Sequence, residues 1–182
     1  MKQNEISALL KARRKRLHLT QREVALRAGI HMNAYQFFEY GMRDIRTSSF
    51  TTSCRVLMTL HLDPLKFFLG YYHASEEKAS HNSERRSEAR STVQSNAILR
   101  DMRVHLGLSQ KEVAHNVGIG LSTYQKFERG ERSLLTANFG TACAILETLH
   151  LDPKKYYDGR CTLSSDLCDE DLCEMSDQTK IT

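Results

Sequence analysis

The sequence lacks tryptophan, carries only two prolines in 182 residues, and has few long runs of β-branched residues. With so few helix breakers and so little strand-forming character, an all-α protein is expected. No apolar run reaches the 18 residues that a membrane-crossing helix needs, so no membrane partner is expected. The N-terminal stretch MKQNEISALLKARRKR is basic but has neither an apolar core nor a small-residue cleavage site. That pattern argues against a secretory signal and makes the cytoplasm the expected location.

The five cysteines do not form a metal pattern. Cys54 and Cys143 fall in apolar stripes, where a free thiol behaves as a small hydrophobe. Cys161, Cys168 and Cys173 are spaced C-x6-C-x4-C, which does not match the short paired spacings of zinc sites, so reduced thiols are expected. His61 and His150 stand near predicted helix ends, where a carbonyl or the helix dipole is their natural partner. No phosphate-cradling glycine loop occurs, and no nucleophile, base and oxyanion site assemble. Neither an enzyme activity, nor a metal, nor a cofactor is expected.

Charge is present, but unevenly. From Asp158 onward, seven acidic residues face only Arg160 and Lys180, a balance of −5 that leaves +9 on the rest of a chain whose net charge is +4. A basic body suits a polyanionic partner.

The most informative pattern is residues 108–130, LSQKEVAHNVGIGLSTYQKFERG. Ser109 with Glu112 makes a capping box ahead of the apolar Val113, Ala114 and Val117. Gly118 then supplies the left-handed residue that ends a helix, and Ile119 plugs the turn. A second helix is predicted from about Leu121 to Glu128, with Tyr124 and Phe127 inward and a polar outer face.

The pattern occurs twice. Residues 19–41, LTQREVALRAGIHMNAYQFFEYG, align with it at an offset of 89, and no gap is needed from Leu9 opposite Ile98 to Phe67-Phe68 opposite Tyr156-Tyr157. Roughly half the aligned positions are identical, which marks a duplicated structural unit. Each unit reads as five helices: in the first, about Glu5–Lys15, a second capped by Thr20, a third over Met32–Glu39, a fourth capped by Thr47 or Ser48, and a fifth capped by Asp63 with Pro64 at its first position. The expected layout is an N-terminal domain over 1–72, a polar linker over 73–95, a C-terminal domain over 96–158 and an acidic tail over 159–182. The linker sequence fits a solvated helix and a flexible tether equally. Extended, its 23 residues span roughly 75 Å.

The motifs L-[ST]-Q-x-E-V-A, G-I and Y-Q-x-F-E-x-G resemble the phage-repressor, or Xre-like, helix-turn-helix domains, and the resemblance covers about residues 6–70 and 96–157. It implies an all-α chain of two duplicated five-helix domains of the lambda-repressor-like type. In that family the second motif helix enters the DNA major groove. By position the groove-facing residues are Met32, Asn33 and Phe37 in the first unit and Leu121, Ser122 and Lys126 in the second. Gln36 and Gln125 stand beside them. Gln21 and Gln110 match a position that meets the phosphate backbone or a base near it. Arg43, Arg46, Arg129 and Arg132 follow the recognition helices in a loop that approaches the backbone, and Arg22, Lys111 and the run Lys11, Arg13, Lys15, Arg16 add cations. The resemblance also pairs Arg14 with Glu39, and Arg103 with Glu128, as structural ties between first and third helices.

Asn33 can read adenine and Lys126 can donate to guanine, whereas Met32 and Leu121 offer apolar surface for a thymine methyl or a protein. Phe37 is the anomaly, because an outward aromatic suits a DNA wedge or a protein contact better than water. The second unit is therefore expected to be the better reader. The resemblance implies a sequence-specific transcriptional regulator of double-stranded DNA, with repression as the expected sign. One chain would span two half-sites, or two chains would pair like units as a homodimer. The rival is an antitoxin or adaptor that holds a protein partner through the first unit. The acidic tail, with Leu163, Leu167 and Leu172 among carboxylates, suits either a partner or a fold-back onto the basic face.

Overall fold

In the computed structural model, residues 1–72 and 92–161 are described, with side chains from residue 96 in the second part. The stretch 73–91, most of the expected linker, and 162–182, which includes Cys168 and Cys173, lie outside the described residues. Ten α-helices and no strand occur among the described residues. They are α1 (Gln3–Arg16), α2 (Gln21–Ala28), α3 (Met32–Glu39), α4 (Phe50–Thr59) and α5 (Pro64–Phe68), then α6 (Thr92–His105), α7 (Gln110–Val117), α8 (Leu121–Glu128), α9 (Phe139–Thr148) and α10 (Pro153–Tyr157). No helix among them is long and apolar enough to cross a membrane.

Local chemistry sets the boundaries. Thr20 and Ser109 accept from the amides of Glu23 and Glu112 at 3.2 Å, and those glutamates accept the cap amides in return at 2.7 Å. The reciprocal pairs satisfy N–H groups that a helix start otherwise leaves open. Gly29 (φ 63°) and Gly118 (φ 72°) end α2 and α7 in the left-handed conformation, as the motif requires. Asp63 and Asp152 cap α5 and α10 ahead of Pro64 and Pro153. The cap of α4 is neither Thr47 nor Ser48. A short 3-10 turn, Ile45–Thr47, absorbs those residues, and Ser49 caps α4. In the second unit Asn138 takes that place. His61 and His150 adopt left-handed backbone (φ 56° and 53°), and their amides, donating to Met58 and Glu147 carbonyls, help to close α4 and α9.

The two units share one apolar core. Phe50 at the start of α4 stacks on Phe139 at the start of α9, with ring centroids 6.0 Å apart, and both are fully buried. Tyr156 meets Phe50 edge-on at 6.2 Å, and Phe67 meets Phe139 at 6.1 Å. Between the rings the backbones pair: Phe50 N–H donates to the Ala137 carbonyl (2.8 Å) and Phe139 N–H to the Ser48 carbonyl (2.9 Å). At the offset of 89, Phe50 becomes Phe139 and Ser48 becomes Ala137, so each bond is the image of the other. Such exchange is the mark of a two-fold, self-complementary contact between like surfaces. Here it lies within one chain.

The symmetry is approximate. Thr51 donates to the Leu135 carbonyl at 2.9 Å, but its counterpart is Gly140, which has no hydroxyl to return the bond. Arg55 Nε donates to the Tyr157 hydroxyl at 3.0 Å, while the mirrored positions hold Ala144 and Phe68.

Candidate nucleic-acid interface

In each unit an arginine on the first helix is tied to the glutamate that ends the third. Arg14 Nε lies 2.5 Å from Glu39 Oε1, and Arg103 Nε lies 2.6 Å from Glu128 Oε1. The second guanidinium nitrogen reaches the other oxygen, and Nη1 donates to the carbonyl of Leu19 or Leu108 at 2.9 Å. The pair therefore clamps α1, the entry to α2 and the end of α3 together. Burial pushes the Glu39 carboxyl up. Hydrogen bonds from Arg14, Gln21 and Tyr35 outweigh it and hold the group below the usual carboxylate range. Glu128 is shifted the same way, with Arg103 and Gln110 as its hydrogen-bond donors.

The glutamines extend this network outward. Gln21 Nε2 donates to Glu39 Oε2 (2.7 Å), and Gln36 Nε2 donates to Gln21 Oε1 (3.1 Å). Gln110 and Gln125 repeat both bonds at 2.6 Å and 3.1 Å. The chain Arg–Glu–Gln–Gln runs from the core to the seam between the two motif helices and fixes the amide of Gln36 or Gln125. That amide is then presented in one orientation, without the rotamer cost a free glutamine carries. The second glutamine interaction was not legible from the motif, although four identical residues at matched spacing in both copies were the available signal.

On α8, Ser122, Lys126 and Arg129 stand at i, i+4 and i+7 on one exposed stripe, with Leu121 beside them. Arg132 N–H donates to the Lys126 carbonyl at 3.1 Å, and its guanidinium sits 5.3 Å over the Phe127 ring. The loop cation is thus held against the end of α8. Arg129 lies 3.6 Å from Glu131 in an exposed pair, which water screens. On α3 the same stripe is Asn33, Phe37 and Tyr40, all exposed, with Met32 alongside. The Asn33 backbone N–H donates to Nδ1 of His31, which caps the helix (3.3 Å). Arg43 is exposed in the loop after α3, while Arg46 folds onto Asp44 at 2.6 Å and donates to the Met1 carbonyl. Arg46 is therefore occupied within the first unit.

Helical spacing brings Leu121, Ser122, Gln125, Lys126 and Arg129 to one side of the second unit, with Gln110 behind them and Arg132 in the loop that follows. Met32, Asn33, Gln36, Phe37 and Arg43 take the matching side of the first, backed by Gln21. No group of three or more His, Cys, Asp or Glu side chains suited to a metal occurs among the described residues. Cys54 and Cys143 are buried in α4 and α9, and burial raises both thiols well above their ordinary value, which leaves them as core residues.

The sequence model of the Helix-turn-helix family matches the chain twice, over residues 10–51 and 99–153. No curated protein and no solved structure matches it. Two family matches that cover more than half of the chain, on two copies of one five-helix unit, lead to one conclusion: the chain belongs to the helix-turn-helix family of DNA-binding regulators, of the Xre or lambda-repressor type, with two units in tandem.

Proposed function

We propose that one chain binds one double-stranded DNA site as a covalent pseudo-dimer and regulates transcription from it, as a repressor, in the cytoplasm. The observation that carries this reading is the reciprocal pairing of Phe50 with Ala137 and Phe139 with Ser48. Helix-turn-helix dimers present two reading helices to successive major grooves, about 34 Å apart, through a two-fold contact of this kind. Here a single chain supplies both halves, so a homodimer is unnecessary and the half-sites are free to differ. Repression follows from occupancy, since a protein seated across two grooves excludes others from them.

The second unit is the stronger reader. Its stripe offers a hydroxyl at Ser122, a cation at Lys126 and the held amide of Gln125, groups that match donor and acceptor patterns on base edges. Arg129 and Arg132 then neutralise phosphates, a contribution that carries affinity and salt dependence but little sequence information. Titrating a selected site with the Lys126→Glu chain tests this. A base contact plus charge reversal is worth about 3 kcal/mol, so affinity should fall roughly 100-fold at moderate salt. Unchanged affinity would remove Lys126, and with it the second unit's reading face, from the account.

A further inference from the structure

The two recognition faces differ more than the units that carry them. In the first unit Phe37 is 46% exposed and Tyr40 58%, while Leu26 on α2 and Met42 after α3 reach 78% and 73%. The equivalent positions of the second unit hold Lys126, Arg129, His115 and Glu131. Arg22, Arg27 and Arg43, all exposed, accompany the apolar group. Single exposed hydrophobic residues need no explanation, but several on one helix-turn-helix unit, flanked by cations, mark a contact surface.

We propose that this face seats the chain's own C-terminal segment, residues 162–182. Its sequence supplies the complement: Leu163, Leu167 and Leu172 stand among six carboxylates, with Lys180 as the single cation. Position supplies the second argument. The Tyr157 hydroxyl, at the end of α10, accepts from Arg55, and Arg55 Nη1 lies 3.3 Å from where a Cβ on Gly29 would sit. Gly29 ends α2, and Ile30 and His31 lead directly into α3. The last helix of the second unit thereby lies near the helix-turn-helix turn of the first, with the Arg55 side chain between them. The mirrored route does not exist. Ala144 and Phe68 replace Arg55 and Tyr157, and a Cβ on Gly118 would meet nothing within 4 Å.

Reach is sufficient. The eleven residues after Cys161, as far as Leu172, extend to at most roughly 40 Å, against a radius of gyration of about 14 Å for a folded body of this size. Tethering also raises the segment's effective concentration to the millimolar range, so weak contacts suffice for occupancy. Seated there, the carboxylates lie over the cations that phosphates would otherwise meet. The first unit is held from DNA until a stronger polyanion displaces the segment.

Met32 and Met42 lie on the face itself and report its cover. The test is limited peroxide oxidation of the full chain without DNA, read by peptide mass spectrometry, because thioether oxidation follows solvent access. The chain carrying L163S, L167S and L172S should oxidise at Met32 and Met42 at least threefold faster than the unaltered chain, with Met58 unchanged. Neutralising D169N, E170Q and D171N should act in the same direction. Equal rates in all three chains would overturn the proposal. Protection that grows with protein concentration would also overturn it, because the segment would then come from another copy. No DNA is present in this experiment, so its failure leaves the DNA-binding reading intact, and failure of that reading leaves this result standing.

Discussion

Phe139→Ala strikes the contact on which the two-unit architecture depends. The ring is fully buried, stacks on Phe50 at 6.0 Å and touches Phe67 at 6.1 Å, so removing it opens a cavity between the units. Phenylalanine-to-alanine changes in cores cost roughly 3–5 kcal/mol, which includes the transfer term and the cavity. Two aromatic contacts place this site in the upper part of that range, at about 4 kcal/mol. The backbone bond from residue 139 to Ser48 survives in principle, but nothing then packs beside it. Urea unfolding followed by circular dichroism at 222 nm is the assay. The unaltered chain should unfold in one transition, because each small unit leans on the other. The variant should lose most of its stability and separate into two shallower transitions, with a lower slope for each. A loss under about 1 kcal/mol with an unchanged slope would refute the shared core.

Arg14→Met strands the fully buried Glu39 carboxylate and should destabilise the chain by roughly 3 kcal/mol in the same assay. Tyr157→Phe removes the one-sided bond from Arg55 and should cost only about 1 kcal/mol. Because Glu39 and Glu128 are held below the ordinary carboxylate pKa, their contribution is complete above about pH 4.5 and is lost as pH falls through their folded values. Thermal midpoints should therefore fall steeply on acidification below that point, and a flat profile down to pH 3 would contradict the network. Phe37→Lys gives the first unit the cation of the second and should steepen the salt dependence of DNA binding by about one unit of slope, measured by anisotropy at several salt concentrations.

The helices were legible because each boundary is set by neighbours in sequence. Thr20 with Glu23 and Ser109 with Glu112 form their capping boxes within four residues, and Gly29 and Gly118 end the helices that follow. Duplication then reinforced every local signal. The cap of α4 escaped because the 3-10 turn before it recruits Thr47 and Ser48, so three adjacent hydroxyl residues compete for one role. The surfaces through which the two units join escaped for a different reason. Phe50 and Phe139 carry the same apolar signal whether they face their own unit or the other, and periodicity along one helix does not say which helix lies opposite. Likewise the sequence placed Gln36 and Gln125 near the groove, but only the fold shows Gln21 and Gln110 holding their amides through Glu39 and Glu128.

The central claim is that one chain reads one two-part site. The most direct measurement is stoichiometric titration of a selected DNA site, with the mass of the complex read by analytical ultracentrifugation and its contacts by hydroxyl-radical footprinting. The account predicts one chain per duplex, with two protected patches on one face of the DNA about one helical turn apart and different in sequence. Two chains on a symmetric site, or a single protected patch per chain, would contradict it.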